Sequence, residues 1–425
     1  MTLPRTSLIE EDLILSADEG FGYFPAESGG LLNGYYQIVR KLGWGRYSSV
    51  WLTRLSTPQL QYGSSVCVGR GMTAEATRGH REGLLRELME TIKKEAEGSY
   101  LPHFVEHFEE RGPHGDHLCL VMHGLGIDVG TFRRAAPRKH LTLHMTKIVV
   151  AITLEALEQL HDLGIIHRSL ANENQFHPID IKPGNIFFSV SDDNEGIEKI
   201  LNSDGIADGS EEVELNGQRY WTLASQSIPS GYRFDAPRSH TEILNVALGD
   251  FGHAQWVGRV PTTKDISPYA LRAPEVILRA PFDAKVDVWS IGCLTFELLT
   301  GHWLFSPVGG SGWRREDDYL AKMMEITGDA FSPALLDRSE ARNNYFDAAG
   351  NLLRIDALVP MSLENLIAAY KVFPEKDILP AAKFIRDCLR LDPDQRPLVV
   401  DLQVHDWMMN AWNCWVCYCA YHAIY

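Results

Sequence analysis

In the first third of the chain, apolar and polar positions mostly alternate. "YYQIVRKLGWGRYSSV" (35–50) alternates around a glycine turn and predicts a β-hairpin. "FVEHFEERG" and "HLCLVMHGLG" predict further strands on either side of a polar turn. One helix interrupts them: in "TRGHREGLLRELMETIKKEAEG" (77–98), Leu84, Leu85, Leu88 and Ile92 recur at helical spacing, and Gly98 ends the run. Beyond residue 126 the period changes, and long helical runs such as "TKIVVAITLEALEQLHDLG" and "VDVWSIGCLTFELLTG" dominate. Strands first and helices later predict an α+β chain of two lobes, a small β-rich one over 35–125 and a larger helical one over 126–409. Residues 1–34, acidic and Gly-rich, read as a loose leader. Two weakly patterned inserts interrupt the second lobe, at 189–242 and 306–370. The first opens on "SDDNEGIEKILNSDGIADGSEEVE", whose nine acidic residues against one Lys predict a solvated run. The second holds a Gly-rich turn and a short helix, "EDDYLAKMMEITG".

Composition narrows the class. With 45% hydrophobic and 23% charged residues among 425, this is ordinary globular material. A net charge of −16 argues against direct nucleic-acid binding and suits a basic partner. Seven scattered cysteines make no disulfide framework, so a reducing compartment, cytoplasmic and/or nuclear, is expected. "MTLPRTSLIEEDLILS" lacks the basic start and apolar run of a secretory signal. The stretch "WMMNAWNCWVCYCAYHAIY" carries no formal charge, yet its Asn410, Asn413 and His422 argue against a membrane span, and no membrane partner is expected. Cys414, Cys417, Cys419 and His422 are conceivable zinc ligands. The spacing of Cys417 and Cys419 is wrong for a zinc knuckle, however, and no second pair exists, so 410–425 reads as a poorly specified tail.

Several short motifs carry chemistry. "GWGRYSSV" sets Gly43, Gly45 and Ser48 in a frame whose backbone can fold over phosphates, with Val50 placed to pack on an adenine face. It does not lead from a strand into a helix, which disfavours a dinucleotide fold. "DIKPGN" is more specific. Asp180 can accept the proton of an attacking hydroxyl, Lys182 can neutralise a moving phosphoryl group, and Asn185 can hold a metal. "LGDFGHAQW" supplies Asp250, whose carboxylate suits Mg²⁺ between phosphates. "LRAPEVIL" follows with Glu275, "DVWSIGC" places Asp287 on a core helix, and "DPDQRP" offers Arg396 as a buried partner for Glu275. A lone Asp-Phe-Gly is chance; six such motifs in order and at matching spacing are not.

Over roughly residues 35–409 these motifs resemble the eukaryotic protein kinase family. "RKLGWGRYSSVWL", "ATRGHREGLLRE", "HFEERGPHGDHLCLVMHGLG" and "EDDYLAKMMEITG", with Arg272 before "APE", are similar to the SR-protein kinases of the CMGC group. The resemblance implies a two-lobed protein-kinase-like fold, ATP with Mg²⁺ as cofactors, and transfer to Ser in basic Arg/Ser-rich proteins by a monomeric enzyme. It also implies a nucleotide site of Leu42, Gly43, Gly45, Ser48, Val50, Met122 and Leu125, with Met122 to Leu125 as the hinge.

Two departures stand out. The family's third strand carries a Lys held by an acid on the following helix, and that acid is Glu87. No lysine lies between Lys41 and Lys93, and Arg70 falls at the missing position between Gly69 and Gly71. A guanidinium keeps the charge but spreads its donors differently, so weaker ATP affinity or turnover is expected. The second departure is in "GIIHRSLANENQFHPIDIKPGNIFF", where eleven residues separate Arg168 from Asp180. Either His167 keeps the family's His position with 169–179 looped out, or His177 substitutes for it. The alternative function is therefore a catalytically impaired pseudokinase acting as a binding or scaffold protein.

Overall fold

A computed structural model of the chain describes residues 10–16, 22–45, 48–56, 62–69, 78–95, 100–167, 181–190, 198, 201, 212–234, 244–251, 254–257, 271–409 and 411. The chain divides into two compact units. One comprises Met1–Ile127 with Phe188–Ser230, the other Asp128–Phe187 with Gly231–Tyr425. Much of the first insert, expected within the second lobe, thus groups with the first unit.

The first unit is built on a six-stranded sheet. Its strands are β1 (Leu31–Leu32), β2 (Tyr36–Gly45), β3 (Ser48–Leu55), β4 (Tyr62–Gly69), β5 (Phe104–Gly112) and β6 (Gly115–His123). They pair antiparallel in the order β1-β2-β3-β4-β6-β5. Alternation in β2 and β6 sends Tyr36, Ile38, Cys119 and Val121 into one cluster with Trp51. Helix α1 (Arg78–Glu95) lies on β5 and buries Leu88, Met89 and Ile92.

The leader is packed over its described residues, not loose. Leu13 and Tyr23 are buried with Val213 and Leu215 of an insert hairpin, Glu212–Leu215 with Gln218–Trp221, while Ala26 and Leu32 join the core of the sheet. Its apolar residues are too sparse and irregular to show a period, so composition alone made it look solvated.

Strand β2 carries two irregularities. Its register against β3 steps past Val39 and past Leu42. A bulged residue leaves the ladder and turns aside, and both of these pack with Leu52, Val190, Leu201 and Ile228. Lys41 sits between the two steps, paired with Trp51.

The second unit is helical: α2 (Val129–Ala135), α3 (Leu143–Asp162), α4 (Pro274–Ile277) and α5 (Lys285–Thr300) precede the second insert. Asp128 and Thr142 cap α2 and α3 by accepting from the N–H groups of Thr131 and Met145. Helix α5 is buried from Val286 to Thr300, as its nearly all-apolar sequence requires. It ends at Gly301, whose φ of 82° closes the helix. The second insert is better ordered than its sequence suggested, with α6 (Arg315–Thr327), α7 (Pro333–Asp337), α8 (Arg342–Tyr345) and α9 (Leu363–Tyr370). Tyr319, Leu320, Met323, Leu335, Leu363 and Ile367 are buried there. Buried Asp317 accepts from Arg354 at 2.7 Å. Of the tail, only Ala411 is described. Among the described residues no helix is long and apolar enough to cross a membrane.

Candidate functional site

The expected site residues fall in both units. In the first, Gly43 pairs with Val50 and Gly45 with Ser48 across the β2–β3 hairpin. A Cβ added at Gly43 or Gly45 would meet no atom within 4 Å, so the hairpin backbone can be approached closely. Val50 is half-buried. Leu42 is not free to line a nucleotide site with its whole side chain, because it packs against the Ile228 cluster. Met122 pairs with Ser65 and is half-buried, and Leu125 opens the short strand Leu125–Asp128. The Ile127 N–H donates to the Ile228 carbonyl at 2.8 Å. Glu87 is exposed on α1; Arg70, its expected partner, lies outside the described residues.

In the second unit the chain around "DIKPGN" is held on several sides. Residues Pro183–Asn185 form a 3₁₀ turn with Pro in its first turn, and the Asn185 N–H donates to the Lys182 carbonyl at 2.9 Å. Helix α2 approaches so closely that a Cβ on Gly130 would sit 3.2 Å from the Gly184 nitrogen. The Gly249 N–H donates to the Asn185 carbonyl at 2.8 Å, tying this turn to the strand Val246–Leu248 and so to Asp250. Gly249 cannot carry a side chain without pressure, since a Cβ there would be 3.0 Å from the Phe187 ring. Asn185 is buried at 3% exposure.

Asp250 has a φ of 61°, in the left-handed region that costs a non-glycine residue on the order of 1–2 kcal/mol. The conformation leaves its carboxylate exposed while Phe251 is buried. The Phe251 ring meets His167 edge-on, with centroids 5.4 Å apart.

His167 anchors this arrangement. Its Nε2 lies 2.8 Å from the Gly249 carbonyl. A carbonyl only accepts, so Nε2 carries the proton. Its backbone N–H donates to Asp287 Oδ2 at 3.0 Å, and His161 Nε2 meets the same oxygen at 3.0 Å. Strands Ile165–Ile166 and Gln255–Trp256 pair antiparallel beside it. Of the two registers open from sequence, His167 therefore occupies the place beneath Phe251. Residues 168–180, with Asp180 and His177, lie outside the described residues.

Nearby, Arg133 donates to Glu297 at 2.7 Å with both side chains buried. Burial raises the Glu297 carboxyl above its ordinary range, against the pull of Arg133, Arg134 and Lys182. Lys182 thus contributes to a cationic neighbourhood around that acid.

The donor chemistry fits a hard divalent cation, because an Asn amide oxygen and an exposed Asp carboxylate are oxygen ligands of the kind Mg²⁺ takes alongside phosphates. Among the described residues no cluster of three or more His, Cys, Asp or Glu side chains forms a dedicated metal cage.

Sequence reasoning missed Lys41, Glu10, Glu11 and Tyr23, which surround the base of the glycine hairpin. Lys41 is 2% exposed and donates to Glu10, Glu11 and the Leu223 carbonyl. No spacing rule marks a lysine whose partners lie 30 and 182 residues away. It also missed His161, whose role shows only through Asp287.

A family model of the protein kinase domain matches residues 238–408. The serine/threonine-protein kinase SRPK of Physarum polycephalum is 28% identical over 410 residues, covering 94% of this chain and 93% of its own. SRSF protein kinase 3 of Mus musculus is 22% identical, covering 91% of this chain and 88% of its own. A crystal structure of a kinase domain superimposes with a TM-score of 0.63 at 21% identity, over 91% of this chain and 98% of that one, which shows the shared fold. Residues 238–408 thus match a protein kinase domain, which implies ATP as substrate, and over nearly its whole length the chain is similar to serine/threonine kinases of the SR-protein kinase type.

Proposed function

We propose that the protein transfers the γ-phosphoryl group of ATP, with Mg²⁺, to Ser in basic Arg/Ser-rich proteins. The observation that carries this reading is the frame of His167, Asp287, Gly249 and Asn185, which ties the Pro183–Asn185 turn to the chain leading into Asp250 and Phe251. In this reading Asp180 takes the proton of the attacking hydroxyl and Lys182 offsets charge on the moving phosphoryl group. Asn185 and Asp250 hold Mg²⁺, which when bound neutralises charge developing on the phosphate oxygens. Gly43, Gly45 and Val50 roof the nucleotide, while Arg70 with Glu87 forms an altered phosphate clamp. A net charge of −16 favours encounter with a basic substrate.

The test is phosphoryl transfer from radiolabelled ATP to an Arg/Ser-repeat peptide, comparing the wild type with Asp180→Asn, each with Mg²⁺ or with EDTA. Label incorporated only by the wild type with Mg²⁺ supports the assignment. Equal background from both proteins sinks it, leaving a kinase fold used for binding.

A further inference from the structure

The base of the glycine hairpin is braced by chain from outside the sheet. Lys41 immediately precedes Leu42 and Gly43, and its side chain is fully enclosed. Three oxygens from two remote segments surround its ammonium. Glu10 Oε2 lies at 2.7 Å and Glu11 Oε2 is in direct contact, both from the leader; the Leu223 carbonyl, from the returning limb of the first insert, lies at 3.0 Å. Glu10 also accepts from the Ser225 N–H and hydroxyl, each at 2.8 Å, so one carboxylate joins the two segments. The Gln226 N–H then donates to the Lys41 carbonyl at 2.8 Å. At the tip, the Tyr23 hydroxyl donates to the Gly45 carbonyl at 2.9 Å, and its ring meets Trp44 edge-on at 5.8 Å.

These contacts oppose a specific looseness. Glycines give the hairpin its close approach to a ligand but cost it stiffness. Two register steps flank Lys41, so the ladder with β3 does not by itself fix the strand there. An enclosed ammonium with charged partners resists displacement, because moving any one segment leaves charge without a partner. The polar node and the Tyr23 bond thus fix the two ends of the stretch Lys41–Gly45.

We propose that Tyr23, Glu10, Glu11 and Lys41 are positioning residues for the nucleotide roof, holding Gly43–Gly45 in the conformation that receives ATP. This rests on the assignment of that hairpin as the roof. The leader and the returning insert limb act together as one brace: losing a contact of either loosens the roof and weakens nucleotide binding, while the phosphoryl-transfer step itself is untouched.

The experiment uses full-length protein and ATP with Mg²⁺, with dissociation constants from calorimetry and melting temperatures without nucleotide. Tyr23→Phe keeps the ring against Trp44 and removes only the bond to Gly45. Glu11→Gln keeps the shape of the node and removes a charge. Tyr36→Phe is the control: it deletes a hydroxyl bonded to Glu106 at 2.5 Å at the opposite end of β2 from the glycine turn. The expected result is an ATP dissociation constant raised about 3- to 10-fold in Tyr23→Phe and Glu11→Gln, the span of one hydrogen bond. KM for ATP should rise in step, with kcat within about twofold of wild type. Tyr36→Phe should melt earlier yet bind ATP like the wild type. Wild-type affinity in Tyr23→Phe and Glu11→Gln overturns the brace, as does a Tyr36→Phe that weakens ATP equally. A wild type that binds no ATP overturns the roof assignment itself, and the brace with it.

Discussion

Arg396 grips Glu275 with both arms of its guanidinium, at 2.6 and 2.7 Å, and neither side chain has any exposure. The same guanidinium lies over the Trp289 ring, 5.2 Å from its centroid, and donates to the carbonyls of Lys285 and Arg390. Truncating one partner of such a pair strands the other as a buried charge, at about 3–5 kcal/mol. Arg396→Met and Glu275→Leu should each lower unfolding free energy by that order in urea titrations. Arg396→Lys should fall well short of wild type, because an ammonium cannot make the forked contact. Unchanged midpoints would show that the pair is dispensable.

Two glycines closing helices separate backbone strain from crowding. Gly301 and Gly328 share nearly the same positive φ, 82° and 73°. A Cβ at Gly328 would meet open space, whereas at Gly301 it would lie 2.7 Å from the Lys139 carbonyl oxygen. Gly328→Ala should cost about 1 kcal/mol for its left-handed backbone alone. Gly301→Ala should cost at least twice that, since a backbone carbonyl must move. Equal chemical-denaturation shifts would contradict the contrast.

With Arg70 read as part of the proposed phosphate clamp, Arg70→Lys replaces a spread guanidinium charge with a point charge. Peptide phosphorylation should rise by about tenfold or more, mostly through tighter ATP binding. A fall in activity would mean that the guanidinium is an adapted part of this protein's site.

His405 gives the protein an acid-side sensitivity. Burial lowers its pKa below the usual range, working against Asp387, whose Oδ2 lies 3.5 Å away. With the folded pKa depressed, the unfolded chain binds the proton more readily below about pH 6.5, so stability present above that pH falls as the solution is acidified. His405→Gln should flatten the melting temperature between about pH 6.5 and 5 relative to wild type. A parallel pH profile for both proteins would exclude His405 as the source.

The legible parts of this molecule were those whose chemistry is local. The pairing of Glu275 with Arg396 could be anticipated across 121 residues because each sits in a distinctive short motif. The alternation in β2 and β6 and the apolar run of α5 likewise declared strand and core helix. The second insert was misjudged because α7 and α8 span only Pro333–Asp337 and Arg342–Tyr345, too short to show a period. Most hidden was the leader. Glu10 and Glu11 look like solvated charge, and only the position of Lys41 turns them into interior residues. A charge that is buried because a distant opposite charge is buried leaves no trace in local pattern.

The enclosure of Lys41 also dictates an order of events. Its leader partners precede it in the chain, but Leu223 follows it by 182 residues, after the whole "DIKPGN" region has been made. During synthesis from the N-terminus, the sheet of the first unit is complete in sequence by His123, yet the enclosure of Lys41 waits for residues 223–226. Contacts of such long separation form late and slowly. The first unit therefore completes its enclosure of Lys41 only after the Asp128–Phe187 part of the second unit has been made.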